Sequence, residues 1–209
     1  MKLYFYNNGN CRMNMDIGSK YDKIAQWWHN NHNESVYGLG QIEKAVRYCR
    51  NRGSALDVGC GSGGRIIRKL LSEGFNITAI DMSPNMIQIA ESNHPDVNFE
   101  ICDITSWETD KTFDLIVAWD SIFHLPMTEQ RRVVPGLCRM LNPDGIIIYT
   151  FGDASGEHVS EWHGEKFFYG SIGIDENLKI IMESGCQCRH LELDQYPEKH
   201  VYIIAQKKI

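Results

Sequence analysis

Between positions 57 and 65 the chain reads Asp-Val-Gly-Cys-Gly-Ser-Gly-Gly-Arg. Closely set glycines allow a tight turn and let the backbone approach a ligand, and a helix starting behind them offers unpaired N–H groups. The spacing serves more than one ligand. Gly59, Gly61 and Gly64 fit the dinucleotide fingerprint, whereas Gly59, Gly61 and Gly63 fit a tighter, every-second-residue version. Asp57 separates the two. A carboxylate at the tip of the preceding strand repels a pyrophosphate and attracts a cation, so the site suits a positively charged cofactor better than a nicotinamide dinucleotide.

Further polar groups recur at strand ends. Asp81 closes a second apolar run and suits the two hydroxyls of a ribose, or else caps a helix or faces water. Next to it, the Met82 thioether can lie against an adenine ring or simply fill core. Asp120, Ser121 and His124 follow a fourth run, at the edge where open parallel sheets bind ligands. His124 is either a general base, given an ordinary pKa near neutrality, or a packed histidine ahead of Leu125-Pro126. Asp57 itself could also bond the N–H groups of its own loop.

The pattern of elements predicts how these groups are held. Residues 1–18 are polar and asparagine-rich, read as a loose arm, and residues 19–209 as one domain. That domain starts with helices over 19–52, one carrying Tyr21 to Trp28 and one from about Gly38 to Asn51. Then strands and helices alternate, which argues for a parallel sheet covered on both faces. Strands are expected over Ala55–Val58, Asn76–Asp81, Val97–Cys102, Phe113–Trp119 and Ile146–Thr150. Ser83-Pro84 reads as a helix N-cap and first turn, and Thr128 as the cap of a helix that Pro135-Gly136 should kink or split. Asn142-Pro143-Asp144-Gly145 reads as a turn. Residues 152–172 look irregular and lid-like, and a helix over Asp175–Ser184 precedes a closing hairpin over Cys186–Leu193 and His200–Lys207.

Composition narrows the setting. A chain of 209 residues with 43% hydrophobic and 23% charged residues suits one globular domain. Its net charge of -6 offers no general attraction to nucleic acid or anionic membrane. No stretch approaches the roughly 18 apolar residues of a membrane span, and Leu3-Tyr4-Phe5-Tyr6 is too short for a signal-peptide core. The cysteines at 11, 49, 60, 102, 138, 186 and 188 are scattered, as reduced buried thiols would be, so the expected compartment is the cytoplasm.

The stretch Leu-Asp-Val-Gly-Cys-Gly-Ser-Gly-Gly, then Ala79-Ile80-Asp81-Met82-Ser83-Pro84-Asn85-Met86, Cys102-Asp103-Ile104 and Phe113-Asp114-Leu115-Ile116-Val117, resembles the class I S-adenosylmethionine-dependent methyltransferases. The likeness runs from about Tyr21 to the C-terminus, with these motifs in the family's order. It implies a Rossmann-like α/β fold: a doubly wound, mostly parallel seven-stranded sheet ending in an antiparallel hairpin. It further implies that S-adenosylmethionine, cationic as Asp57 requires, rests on Gly59, Cys60, Gly61 and Gly63, with Asp81 on the ribose and Met82 on the adenine. Asp103 would accept from the adenine amino group with the Ile104 backbone near the ring, or else serve as a turn aspartate ahead of Thr105, and Tyr21 and Trp119 would flank the methionyl part. The implied reaction moves the methyl to a small-molecule acceptor by in-line displacement, leaving S-adenosylhomocysteine, with His124 and Asp120 as candidate catalytic residues.

Nucleic acid is disfavoured as acceptor, because Trp119-Asp120-Ser121-Ile122 lacks the Asn/Asp-Pro-Pro-aromatic run of DNA amino-methylating enzymes. Two other functions fit the glycine loop: a nicotinamide-dependent oxidoreductase, and a non-catalytic S-adenosylmethionine-binding module. Glu157, His158, Glu161 and His163 have ligand-capable side chains but lack a cysteine pair or compact two-His helical spacing, so a lid is expected and no metal. Trp27, Trp28, Trp162, Phe167, Phe168 and Tyr169 line an acceptor pocket or pack as core. Nothing in the sequence sets the oligomeric state.

Overall fold

In the computed structural model, residues 14–209 are described. The chain forms α1 (Asn14–His32), α2 (Leu39–Tyr48), β1 (Ser54–Val58), α3 (Arg65–Ser72), β2 (Asn76–Asp81), α4 (Pro84–Asn93), β3 (Asn98–Ile101) and β4 (Phe113–Ala118). A single 3₁₀ turn (Ile122–His124) leads to α5 (Met127–Arg139), β5 (Leu141–Gly152), β6 (Ser155–Trp162), β7 (Glu165–Ile172), α6 (Gly173–Glu183), β8 (Cys186–Leu193) and β9 (His200–Lys207). Seven strands make one sheet in the order β3-β2-β1-β4-β5-β9-β8, and β6 and β7 pair separately. The first five of that order run parallel, and β9 is antiparallel to both β5 and β8. This is the expected doubly wound α/β fold.

Strand periodicity sorts the core into two layers. Leu56, Val58, Ile116, Ile147, Tyr149 and Ile203 point to one face, where α5 and α6 bury Val134, Leu137 and Ile181. Ala55, Leu115, Val117, Ile146, Ile148 and Ile204 point to the other, against Ile42 and Val46 of α2 and Ile67 and Leu70 of α3. Because both faces are covered, β4 is buried along its whole length and reads as a continuous apolar run apart from Asp114. The chain reverses direction across the sheet between β1 and β4, which opens a crevice at their carboxyl ends.

Five expectations are corrected. The loose arm over 1–18 is too long, since α1 already begins at Asn14; residues 1–13 lie outside the described residues. Helix α5 runs unbroken through Pro135. A mid-helix proline costs about 3 kcal/mol. Burying Val133, Val134, Leu137 and Cys138 on one face offsets that, at roughly 1.5–3 kcal/mol for each large apolar side chain. Its first N–H is capped by Glu157 Oε1 (2.8 Å to Met127 N), from the distant β6, in place of Thr128. The Asn142–Gly145 segment lies within β5 as a bulge that shifts the β4–β5 register between Phe113 and Leu115.

The fifth correction concerns residues 152–172, which are regular. They form a long hairpin whose two-residue turn, His163-Gly164, has φ of 51° and 74°. Two successive positive φ values are the type I′ geometry that matches strand twist, and Gly164 supplies the second at little cost.

Candidate active site

The carboxyl ends of β1, β2 and β4 open into a cavity of about 290 Å³, roofed by α1 and bounded on one side by Leu125 and the 3₁₀ turn. Its floor is the glycine turn. Gly59 and Cys60 donate their N–H groups to the Ile80 carbonyl (2.8 and 3.1 Å), which fixes the bend. Gly59 has a φ of 74°, and a β-carbon there would stand 2.4 Å from Ser121 Cβ, so the β1 and β4 loops meet only over a glycine. Gly63 serves a different contact. Its missing β-carbon makes room for Ala90 of α4, and it is absent from the cavity wall.

Asp57 is 1% exposed beneath this loop, behind the cavity wall, and its Oδ2 has no hydrogen-bond partner among the described residues. Burial, with the negative charge of Asp81 beside it, lifts its carboxyl to about 7, against a smaller opposing effect of Arg65. Asp81 stands on the cavity wall with both oxygens engaged: Oδ2 accepts from Gly61 N (2.8 Å) and Oδ1 from Ser83 N (2.9 Å). Burial raises its pKa, and the backbone donors at Ser83, Gly61 and Met82 act the other way. Met82, Cys102, Ile104 and Trp119 complete the apolar wall. Asp103 is not part of it; its Oδ1 accepts from Thr105 N (2.8 Å), the arrangement of a turn aspartate.

Tyr21, from α1, and His124 meet across the roof. His124 Nδ1 lies 2.8 Å from the Phe168 carbonyl, which can only accept, so the proton sits on Nδ1. Nε2 therefore accepts the Tyr21 hydroxyl proton at 2.9 Å. Burial holds His124 down at about 4 and pushes the Tyr21 phenol well up, so both are neutral near pH 7. The general-base role expected of His124 meets a nitrogen that is already taken and weakly basic. Its geometry instead fixes the Tyr21 hydroxyl in the cavity.

Asp120 takes a left-handed φ of 53° and faces the cavity. Thr150 Oγ1 accepts its N–H (2.9 Å) and donates to its Oδ1 (3.2 Å). The same Oδ1 accepts from His200 Nε2 at 3.0 Å, a partner that the sequence pattern did not mark because it opens β9 at the far end of the chain. Arg65 was also missed. It lines the cavity, lies over the Tyr37 ring (5.4 Å), donates Nε to the Tyr37 carbonyl (2.5 Å) and makes no ion pair among the described residues.

The hairpin is fastened to this site by aromatic rings and its own carbonyls. Trp162 meets Trp27 and Trp28 edge-on (5.4 and 5.9 Å between centroids), and His163 lies 4.1 Å from Trp27. Lys23 pairs with Glu165 at 2.5 Å, and Gln130 Nε2 donates to the carbonyls of Leu125 (2.9 Å) and Gly170 (2.7 Å). Glu157, His158 and His163 are spread along the hairpin in separate contacts: the cap of α5, a stack on Tyr169, and the packing on Trp27.

Known proteins resemble this chain in sequence and in fold. The methyltransferase-domain family matches residues 55–145. A trans-aconitate 2-methyltransferase from Escherichia coli is 37% identical over 143 residues, covering 63% of this chain and 55% of that protein. A ubiquinone biosynthesis O-methyltransferase from Rickettsia typhi is 29% identical over 167 residues, covering 68% and 67%. The aligned stretch thus spans 55 to 67% of the length of such curated relatives. Among solved structures, a 1,6-didemethyltoxoflavin-N1-methyltransferase from Burkholderia thailandensis, with 1,6-didemethyltoxoflavin and S-adenosylhomocysteine bound, superposes with a TM-score of 0.71. That match covers 99% of this chain and 94% of the other at 14% identity, which speaks to the fold.

Proposed function

We propose that the chain, whose residues 55–145 match the methyltransferase-domain family and whose motifs resemble the class I S-adenosylmethionine-dependent methyltransferases, transfers the methyl group of S-adenosylmethionine to a small-molecule acceptor by in-line displacement. One observation carries the choice of cofactor: Asp57, buried at the tip of β1 with an unpartnered oxygen. An anionic pyrophosphate above it would raise the cost of that carboxylate further, while a cation lowers it. The residues present therefore fit a sulfonium carrying an ammonium.

In this proposal the turn Gly59–Gly61 carries the cofactor, Asp81 takes the ribose, and Met82, Ile104 and Trp119 enclose the apolar parts. Asp103 stands just outside the cavity wall and reaches the adenine only through its second oxygen. Gly63 acts indirectly, by letting α4 close on the loop. When bound, S-adenosylmethionine supplies an electrophilic methyl and a neutral thioether leaving group. The protein's contribution is alignment, which can supply roughly 7–11 kcal/mol. Tyr21, held by His124, presents a hydroxyl whose oxygen can accept a hydrogen bond from the acceptor's nucleophilic group. Asp120 adds negative charge beside it. The aromatic hairpin over the roof excludes water from the reacting atoms.

The relatives' names, which refer to trans-aconitate and to ubiquinone biosynthesis, support a small molecule as acceptor. Arg65, without an ion pair among the described residues, suits a carboxylate in the same cavity. No helix among the described residues is long and apolar enough to cross a membrane. Free cysteines at 49, 60, 102, 138, 186 and 188 support a cytoplasmic setting.

Calorimetry with S-adenosylmethionine, S-adenosylhomocysteine and NAD tests the cofactor. Labelled-methyl transfer into a pooled metabolite extract tests the reaction. Binding of NAD without S-adenosylhomocysteine would establish the oxidoreductase instead. Tight S-adenosylmethionine binding with no transfer to any acceptor would leave a sensing module.

A further inference from the structure

His200 lies between two carboxylates. Its Nε2 is 3.0 Å from Asp120 Oδ1 and its Nδ1 is 2.6 Å from Asp194 Oδ1. Carboxylates only accept, so both ring nitrogens donate and the ring is an imidazolium. The Asp194 side chain is only 4% exposed, and its other oxygen accepts from Gln41 Nε2 of α2 at 2.9 Å. A buried carboxylate held by a cation and an amide is a built anchor, unlike a surface ion pair. Its far end is Asp120, whose left-handed backbone persists only where the surroundings over-determine it. Thr150 and His200 supply that constraint, and both converge on Oδ1.

The charged and titratable neighbours come from every element around the pair. Tyr37 stands beside it from the loop before α2, with its hydroxyl accepting from Gln195 Nε2 (2.7 Å). The Trp119 ring packs on His200 (5.6 Å), and Arg65 of α3 acts electrostatically on Asp120. Burial alone would depress His200, but the hydrogen bonds to Asp120 and Asp194 more than offset it and its pKa is raised. The cluster of Asp120, His200 and Asp194 keeps one net negative charge at the edge of the cavity.

We propose that His200 is a positioning residue: anchored on Asp194, it orients the Asp120 carboxylate to receive the protonated amino-acid end of the cofactor. This rests on the S-adenosylmethionine assignment above. A purely structural tie between the β8–β9 loop and β4 would not need to end on a carboxylate facing the cavity.

The test compares S-adenosylhomocysteine with 5′-methylthioadenosine, which keeps the adenosine and thioether but lacks the amino-acid end. In calorimetry, His200→Gln and Asp120→Asn should each weaken S-adenosylhomocysteine roughly tenfold while changing methylthioadenosine by less than about twofold. Asp194→Asn should give a smaller loss of the same kind and, by side-chain NMR, lower the pH at which His200 titrates. Equal weakening of both ligands by His200→Gln would mean a structural tie only and overturn the proposal. So would unchanged affinities, or a His200 that is neutral at pH 7 in the wild type. A wild type that binds neither ligand would refute the cofactor assignment itself, a signature distinct from those outcomes.

Discussion

The most informative perturbation is Asp57→Asn, which removes one charge and keeps the shape. In the unliganded protein the Asp57 carboxyl sits at about 7 against an ordinary 3.8, a difference of about 4 kcal/mol. Between those two values the folded protein holds a proton that the unfolded chain has released. Stability therefore falls as pH rises through that window, by up to about 4 kcal/mol, and the lost stability does not return above pH 7. Asp57→Asn should flatten this slope and leave the variant more stable than the wild type at pH 8. Binding should show the opposite preference. A cation settling by Asp57 favours the carboxylate, so at pH 6, where the carboxyl is mostly protonated, binding should expel about 0.9 proton, and at pH 8.5 only about 0.03. Calorimetry of S-adenosylmethionine in buffers of different ionisation enthalpy reads that number directly. Denaturant melts of both proteins from pH 4 to 9 read the stability term. Absence of proton release at pH 6 from a wild type that binds, or an Asp57→Asn variant with undiminished affinity, would refute the electrostatic reasoning.

Other consequences are simpler to state. Gly59→Ala forces a methyl to within 2.4 Å of Ser121 Cβ at a φ of 74°, so it should lose at least about 2 kcal/mol of stability together with S-adenosylhomocysteine binding. A wild-type melting curve with intact binding would contradict it. Tyr21→Phe leaves the buried His124 Nε2 without a donor and should cost about 1–3 kcal/mol in denaturant melts. With His124 held at about 4, the wild-type kcat profile should show no imidazole break between about pH 5.5 and 8. A break in that range that disappears in His124→Gln would restore the general base. Trp162→Ala removes the ring wedged between Trp27 and Trp28, and should raise protease cleavage within 155–172 along with the acceptor KM. Unchanged proteolysis would mean that the hairpin is held by its backbone contacts alone.

What could be foreseen follows from how local each determinant is. The run from Ala55 to Gly64 states its strand, its turn and its ligand sign within ten residues, and Ser83-Pro84 states a helix start within two. These needed no knowledge of the rest of the chain. The Glu157 cap on α5 spans 30 residues, and His200 reaches Asp120 across 80, so neither leaves a local signature. Pro135 misled because a local penalty was weighed without the four side chains buried around it. The hairpin was legible in principle: His163-Gly164 is a short turn between two runs rich in aromatic and β-branched residues. It was obscured because its two faces are unequal, with most of β6 exposed and Phe167, Gly170, Ser171 and Ile172 of β7 buried, so the alternation is blurred. Gly63 and Asp103 show a further limit, since a motif names residue types and the packing decides which of them line the cavity.

The sheet order brings three carboxylates side by side, because β2, β1 and β4 are neighbours and Asp81, Asp57 and Asp120 stand at or near their carboxyl ends. Three ionised acids so close would repel one another, and the protein settles each differently. Asp81 is met by the backbone dipoles at Gly61 and Ser83, and Asp120 by the imidazolium of His200. Among the described residues Asp57 has neither a paired cation nor a donor on Oδ2, and it keeps its proton to about pH 7. Two of the three thus have partners before any ligand arrives, Asp120 sharing its imidazolium with Asp194, and Asp57 is left to change state when one does. An incoming cation lowers the cost of ionising Asp57, whereas an anion would raise it. Of the three aspartates, Asp57 is therefore the one whose substitution should change how strongly the protein prefers the sulfonium of S-adenosylmethionine over the neutral thioether of S-adenosylhomocysteine. Asp81→Asn should weaken both alike.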